Sequence, residues 1–185
     1  SLAAWVKCAS GSDIRVSAQN VHWEDKGAFT GEISGAMLTE LGVTHVIIGH
    51  SERRQFFGET DHTVNKRIKA AIRHRLVPIF CLGETLEERE GGKTFEVLKR
   101  QLVEGLGDAI PESAEKFVIA YEPVWAIGTG KTASPEQAQE AHAFLRKELA
   151  DLRGLDFAGK VRILYGGSVK PDNTRELMRC HDIDG

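Results

Sequence analysis

Residues 117–152 read FVIAYEPVWAIGTGKTASPEQAQEAHAFLRKELADL, and this stretch decides the fold. Phe117–Tyr121 is a short apolar run of strand length, too short for a helix. Pro123 ends it, because proline brings no ladder donor and biases the residue before it away from helix. A polar, glycine-containing loop follows. Ser134 then suits an N-cap, Pro135 the first helical position, and Gln137 the reciprocal side of a capping box. Ala138, Ala141, Leu145, Leu149 and Leu152 recur on one helical face, with Gly154 placed to stop the helix. A strand, a loop and a long amphipathic helix make the repeating unit of a parallel sheet.

Moving outward, the unit recurs. Ile14–Ala18, His45–Ile48, Leu76–Leu82 and Val161–Tyr165 are further apolar runs, and successive starts along the chain lie about 31, 31, 41 and 44 residues apart. Helical spacing marks Ser1–Ser10, Glu32–Leu41, Asp61–His74, Glu96–Leu106 and Pro171–Met178. The fold class is therefore α/β with a parallel sheet, in one domain over residues 1–185. Low-complexity tracts and linker-like shifts in composition do not occur.

Composition excludes several classes of function. Of 185 residues, 41% are apolar and 28% charged, and 24 basic against 27 acidic side chains give a net charge of −3. Without a basic excess, no nucleic-acid partner is expected. No apolar run approaches the roughly 20 residues of a membrane helix, and the chain opens without a charged-then-apolar leader, so no membrane partner is expected either. Cys8, Cys81 and Cys180 are scattered, without CxxC spacing. That fits a reduced, cytoplasmic setting and speaks against a disulfide framework or a zinc site.

The residues directly after each strand point to chemistry. In order these are Gln19-Asn20, Gly49-His50-Ser51-Glu52, Gly83-Glu84-Thr85, Glu122-Pro123 and Gly166-Gly167-Ser168. In parallel α/β folds, ligands bind at the carboxyl ends of strands. His50, at a helix start, is either an ordinary loop residue or a neutral imidazole that donates to a substrate oxygen. Glu122, at the mouth of an apolar strand, is either a surface carboxylate or a tuned base. Gly130-Lys131-Thr132 imitates the end of a phosphate-binding Walker loop, but that motif needs glycine at position 125, which is Trp125. The loop reads better as a lid whose backbone N–H groups close on an anion. Gly166-Gly167-Ser168, before a short helix, is either a tight turn or a second phosphate cradle. Val21–Gly31 is long for its place and carries Trp23 and Phe29, suited to insertion into a partner or to folding back on its own domain.

Taken together, Ala18-Gln19-Asn20, Gly27-Ala28-Phe29-Thr30-Gly31-Glu32, Ile48–Arg54, Tyr121–Gly130 and Tyr165–Val169 closely resemble the triosephosphate isomerase family, in its order and at about its spacing. The resemblance implies an eight-stranded (β/α) barrel architecture and the interconversion of dihydroxyacetone phosphate and glyceraldehyde 3-phosphate, a step of glycolysis and gluconeogenesis, with no metal or organic cofactor. It implies that Glu122 is the base that moves the proton and His50 the neutral electrophile, with Glu52 supporting an active-site lysine. Gly128 and Ser168 match backbone donors to the substrate phosphate. Val21–Gly31 matches the loop that enters the neighbouring subunit of a homodimer.

Against the family pattern, the chain shows no counterpart of the first two strands, the first of which carries an Asn-x-Lys motif, nor of the eighth. The expectation is an incomplete barrel of five strands, with turnover weakened or lost and two open sheet edges. Those edges call for a homodimer or higher self-assembly. The alternative function is a non-catalytic, self-assembling barrel fragment.

Overall fold

Five parallel strands, paired in chain order, organise the computed structural model, which describes residues 1–185. They are β1 (Ser17–Ala18), β2 (His45–Ile48), β3 (Val77–Leu82), β4 (Val118–Tyr121) and β5 (Arg162–Tyr165). The helices are α1 (Leu2–Ala9), α2 (Gly35–Glu40), α3 (Ser51–Phe57), α4 (Asp61–Arg73), α5 (Leu86–Glu90), α6 (Thr94–Leu106), α7 (Pro135–Arg153), α8 (Leu155–Lys160) and α9 (Thr174–Leu177). Every strand except the last is followed by a helical crossover to the next, the arrangement that parallel pairing demands.

The register aligns the carboxyl ends of the strands. Ile48 pairs with Phe80, Leu82 with Tyr121, and Tyr121 with Tyr165, so the loops after β2, β3, β4 and β5 emerge side by side. β4 is buried along its whole length, as a central parallel strand should be. The core lies between the sheet and its helices. Phe80, Ile119 and Tyr121 from the strands, with Phe117 just before β4, meet Ile68, Leu98, Leu102, Leu106, Leu145 and Leu149 from α4, α6 and α7. Burying each such Leu or Ile contributes roughly 1.5–3 kcal/mol.

The α7 signals act as the spacing implies. The Gln137 N–H donates to Ser134 Oγ at 3.2 Å, the Ser134 N–H donates to Gln137 Oε1 at 3.0 Å, and Gly154 ends the helix. Asp61–His74 and Glu96–Leu106 also fall within a residue or two of α4 and α6. Three differences have local causes. β1 is only two residues long, because only Ser17 and Ala18 find partners in β2, and Ile14 stands 70% exposed. Residues 171–173 form a turn, held by Asn173 Oδ1 accepting from the Lys170 N–H at 2.8 Å, so the last helix is shorter than Pro171–Met178. The edge of β5 is covered in part: the Tyr165 N–H donates to Gly185 O at 2.8 Å, the Asp184 N–H to Ile163 O at 3.0 Å, and the Ile163 N–H to Asp184 Oδ2 at 2.7 Å. The expected bare edge at Tyr165 is thus corrected; the terminal residues satisfy it as a neighbouring strand would.

Candidate active site

The site is assembled at the carboxyl ends of β2 and β4. β2 ends at Ile48, and the next residue, Gly49, has φ of +75°. A side chain there would meet Cys81 O at 3.1 Å, so glycine answers both the backbone angle and the close approach of β3. His50 then caps α3. Its Nδ1 accepts from the Glu52 N–H at 3.2 Å, which leaves the proton of the neutral ring on Nε2. Nε2 lies 3.0 Å from Glu122 Oε1.

Glu122 continues β4 by one residue and is only 4% exposed. Its Oε2 accepts from the Ser51 N–H, the first of α3, at 3.0 Å. Burial pushes the carboxyl above its ordinary value, against the opposing pull of His50, the Ser51 N–H and the Cys81 thiol. Burial, reinforced by the Glu122 charge, in turn holds the Cys81 thiol well above its ordinary range. A carboxylate with raised proton affinity beside an imidazole N–H is suited to take a proton from carbon while a neighbouring oxygen receives a hydrogen bond.

The loop after Glu122 has buried roots and an exposed tip. Val124–Ala126 forms one 3₁₀ turn. Trp125 Nε1 donates to Glu84 Oε1 at 2.9 Å, Tyr121 Oη donates to the same carboxylate at 3.1 Å, and Arg89 Nη1 pairs with it at 3.0 Å. Glu84 itself is wholly buried, so three donors offset the cost of its desolvated charge. From Gly128 to Thr132 the chain is exposed, and Gly128 and Gly130 both have positive φ. A loop anchored at one root and glycine-jointed at the tip has the construction of a lid. Gly166 packs against Glu122, with room of only 3.0 Å between a notional Cβ and Glu122 Cγ. Ser168, two residues on, is half-buried, with its carbonyl held by Asn173 Nδ2 at 3.0 Å.

The sequence-derived residues are therefore brought together unequally. His50 and Glu122 touch, and the loops of Gly128 and Ser168 leave the same face of the sheet. Glu52 stands in the first turn of α3 with its side chain 67% exposed; its carboxylate lies 3.9 Å from His50 Nδ1 and does not reach Glu122. In Val21–Gly31, His22 stacks on Trp23 and packs on Phe29, each with ring centres 4.3 Å apart, and Asp25 is held by Arg73 Nη2 at 2.8 Å and His74 Nε2 at 2.6 Å. Its outer part, from Glu24 to Gly31, is exposed. Sequence reasoning missed the Ser51 amide, the Cys81 thiol and the role of Glu84. The first is a backbone group and the second a strand position without any pattern. Glu84 carried a signal, as the acid directly after a strand and a glycine. No three His, Cys, Asp or Glu side chains converge to hold a metal ion.

Comparison with known proteins shows the family. The family model described as Triosephosphate isomerase matches residues 1–185. A relative named triosephosphate isomerase from Citrifermentans bemidjiense is 61% identical over 176 residues, covering 95% of this chain and 70% of its own. One from Moorella thermoacetica is 60% identical over 184 residues, covering 100% of this chain and 74% of its own. One from Geobacter metallireducens is 59% identical over 184 residues, covering 100% and 73%. With the family model matching residues 1–185 and relatives of one name matching 95% or more of the sequence, the chain belongs to the triosephosphate isomerase family.

Proposed function

We propose that the Glu122–His50 pair carries out the family reaction here, interconverting dihydroxyacetone phosphate and glyceraldehyde 3-phosphate. The observation that carries this reading is the 3.0 Å approach of His50 Nε2 to a carboxylate almost wholly removed from water. Glu122 takes a proton from the carbon beside the carbonyl, and the electron pair of that C–H bond forms the enediolate. The His50 N–H stabilises the oxygen on which charge develops. The protonated Glu122 then returns the proton to the adjacent carbon, while the hydroxyl proton of the first carbon passes by way of the His50 ring to the former carbonyl oxygen, so that both the base and the imidazole are regenerated.

In the same reading the Gly128 and Ser168 N–H groups hold the substrate phosphate, and closing the Gly128–Thr132 tip excludes water from the enediolate. Glu52, in the first turn of α3, is assigned to support of an active-site cation. The sheet, with its strands in sequential order, is part of the eight-stranded barrel, and the exposed Glu24–Gly31 segment enters a second copy in a homodimer. The cellular setting of the reaction is the cytoplasm.

A coupled assay of triose phosphate isomerisation tests the reading on the chain and on Glu122→Ala. Turnover in the parent that disappears in the variant supports it. Equal rates in both would remove Glu122 from the chemistry, and no turnover in either would favour a non-catalytic, self-assembling role.

A further inference from the structure

α6 turns one apolar face to the sheet, with Val97, Leu98, Leu102, Gly105 and Leu106 buried, and a single polar side chain interrupts that face. It is Gln101, 6% exposed. Its amide is spent on one residue: Gln101 Oε1 accepts from the Gly83 N–H at 2.8 Å, and Gln101 Nε2 donates to Gly83 O at 3.1 Å. A side chain thus satisfies both backbone groups of Gly83 as a neighbouring strand would.

Gly83 in turn bears on Glu122. A Cβ on Gly83 would lie 1.7 Å from Glu122 O and 2.6 Å from Glu122 C, so the two main chains are in direct contact. The residues on either side of Gly83 hold the segment as well. The Glu122 N–H donates to Leu82 O at 2.8 Å, and the Val124 N–H, at the lid root, donates to Glu84 O at 3.1 Å. Glu122 is therefore hung on a turn that Gln101 clamps from behind, whereas His50 follows β2 as the cap of α3 and makes no hydrogen bond to Gly83 or Gln101. Loosening the turn changes the separation of base and imidazole.

We propose that Gln101 is a positioning residue for the reaction: it fixes Gly83, and through it the main chain of Glu122 and the root of the lid, against His50. This rests on the assignment of Glu122 as base. Gln101→Met keeps the length of the side chain and removes both polar atoms. Gln101→Glu keeps the acceptor for the Gly83 N–H and, when ionised, loses the donor to Gly83 O.

The test compares kcat and KM for both variants with the titration of the Glu122 carboxyl, read by ¹³C NMR, and with cooperative unfolding as a check of folding. A displacement of about 1 Å at a reacting group costs on the order of a hundredfold, so Gln101→Met is expected to lose about tenfold to a hundredfold in kcat with KM within about twofold. Gln101→Glu should fall between it and the parent, and in both the Glu122 midpoint should move toward that of an ordinary glutamate as water enters. A folded Gln101→Met with the parent kcat and the parent midpoint overturns the proposal. So does a loss of activity that only tracks the unfolded fraction. If Gln101→Met does not fold, Gln101→Glu is decisive by the same two readings. If the parent chain shows no isomerisation, the functional reading fails, and the Glu122 midpoint in the variants alone decides the role of Gln101.

Discussion

His142 is a buried titratable group outside the chemistry, and it makes a prediction about acid stability. It sits on α7, wholly buried, with Nδ1 3.2 Å from Asp182 O and its ring edge-on to Tyr121 at 5.6 Å between centres. Burial drives its pKa down from 6.5 to about 4, only partly opposed by the Asp182 carbonyl. A folded-state value below the unfolded one means that the unfolded chain binds the proton first. The contribution is present above pH 6.5 and is lost as pH falls toward about 4. At about 1.4 kcal/mol for each pH unit between the two values, the whole effect is ~3 kcal/mol, of which about 2 kcal/mol appears between pH 7 and pH 5. Urea unfolding followed by tryptophan fluorescence, on the parent and on His142→Phe, isolates the term, because other titrating groups affect both proteins alike. The parent should lose about 2 kcal/mol more than the variant over that interval. Parallel loss of stability in the two proteins would show that His142 is not held neutral by burial.

Glu122, the proposed base, makes a prediction of opposite sign. The Glu122 carboxyl is raised above 4.5, so its ionised form is lost as pH falls through the raised value, and the acid limb of kcat/KM should lie above pH 4.5; a limb at or below that pH contradicts the assignment. For the same reason its ionised form weakens the fold at neutral pH, so Glu122→Gln should raise the thermal midpoint while abolishing turnover, as scanning calorimetry and the coupled assay would report. Gly83→Ala forces a Cβ to within 1.7 Å of the Glu122 carbonyl oxygen, and the resulting shift should cost roughly 1–3 kcal/mol of stability along with most of kcat; unchanged unfolding would mean the contact is relieved without strain. Ser134→Ala removes the acceptor at the start of α7 and should cost about 1 kcal/mol in urea unfolding, with KM unaltered.

The α7 unit was legible because its signals are local. Ser134, Pro135, Gln137 and the apolar stripe act within one helix, and the structure uses each of them. β2 was equally plain, since its four residues are bounded by Thr44 and Gly49. The length of β1 was not, because pairing with β2 is a tertiary fact that apolar character at Ile14 does not encode. α8 follows α7 after a single glycine and exposes Leu155, so its pattern resembles a loop. In the site, His50 and Glu122 announced themselves by standing at strand mouths. Their contact, the Ser51 amide and the Gln101 clamp depend on approach between residues 18 to 72 positions apart in sequence, and no spacing rule contains such distances.

The sequential strand order has a consequence for how the protein comes into being. Each strand finds its first neighbour as soon as the preceding crossover is complete, so the sheet can grow from one side to the other. His50 and Glu122 follow strands that are not neighbours, because β3 lies between β2 and β4. Their meeting requires two crossovers to be closed, a loop-closure cost that the local helices do not bear. Assembly of the pair is accordingly a late event on the folding path. During refolding, helical content should return before the pair is formed, and turnover would recover no earlier than the docking of β4 onto β3.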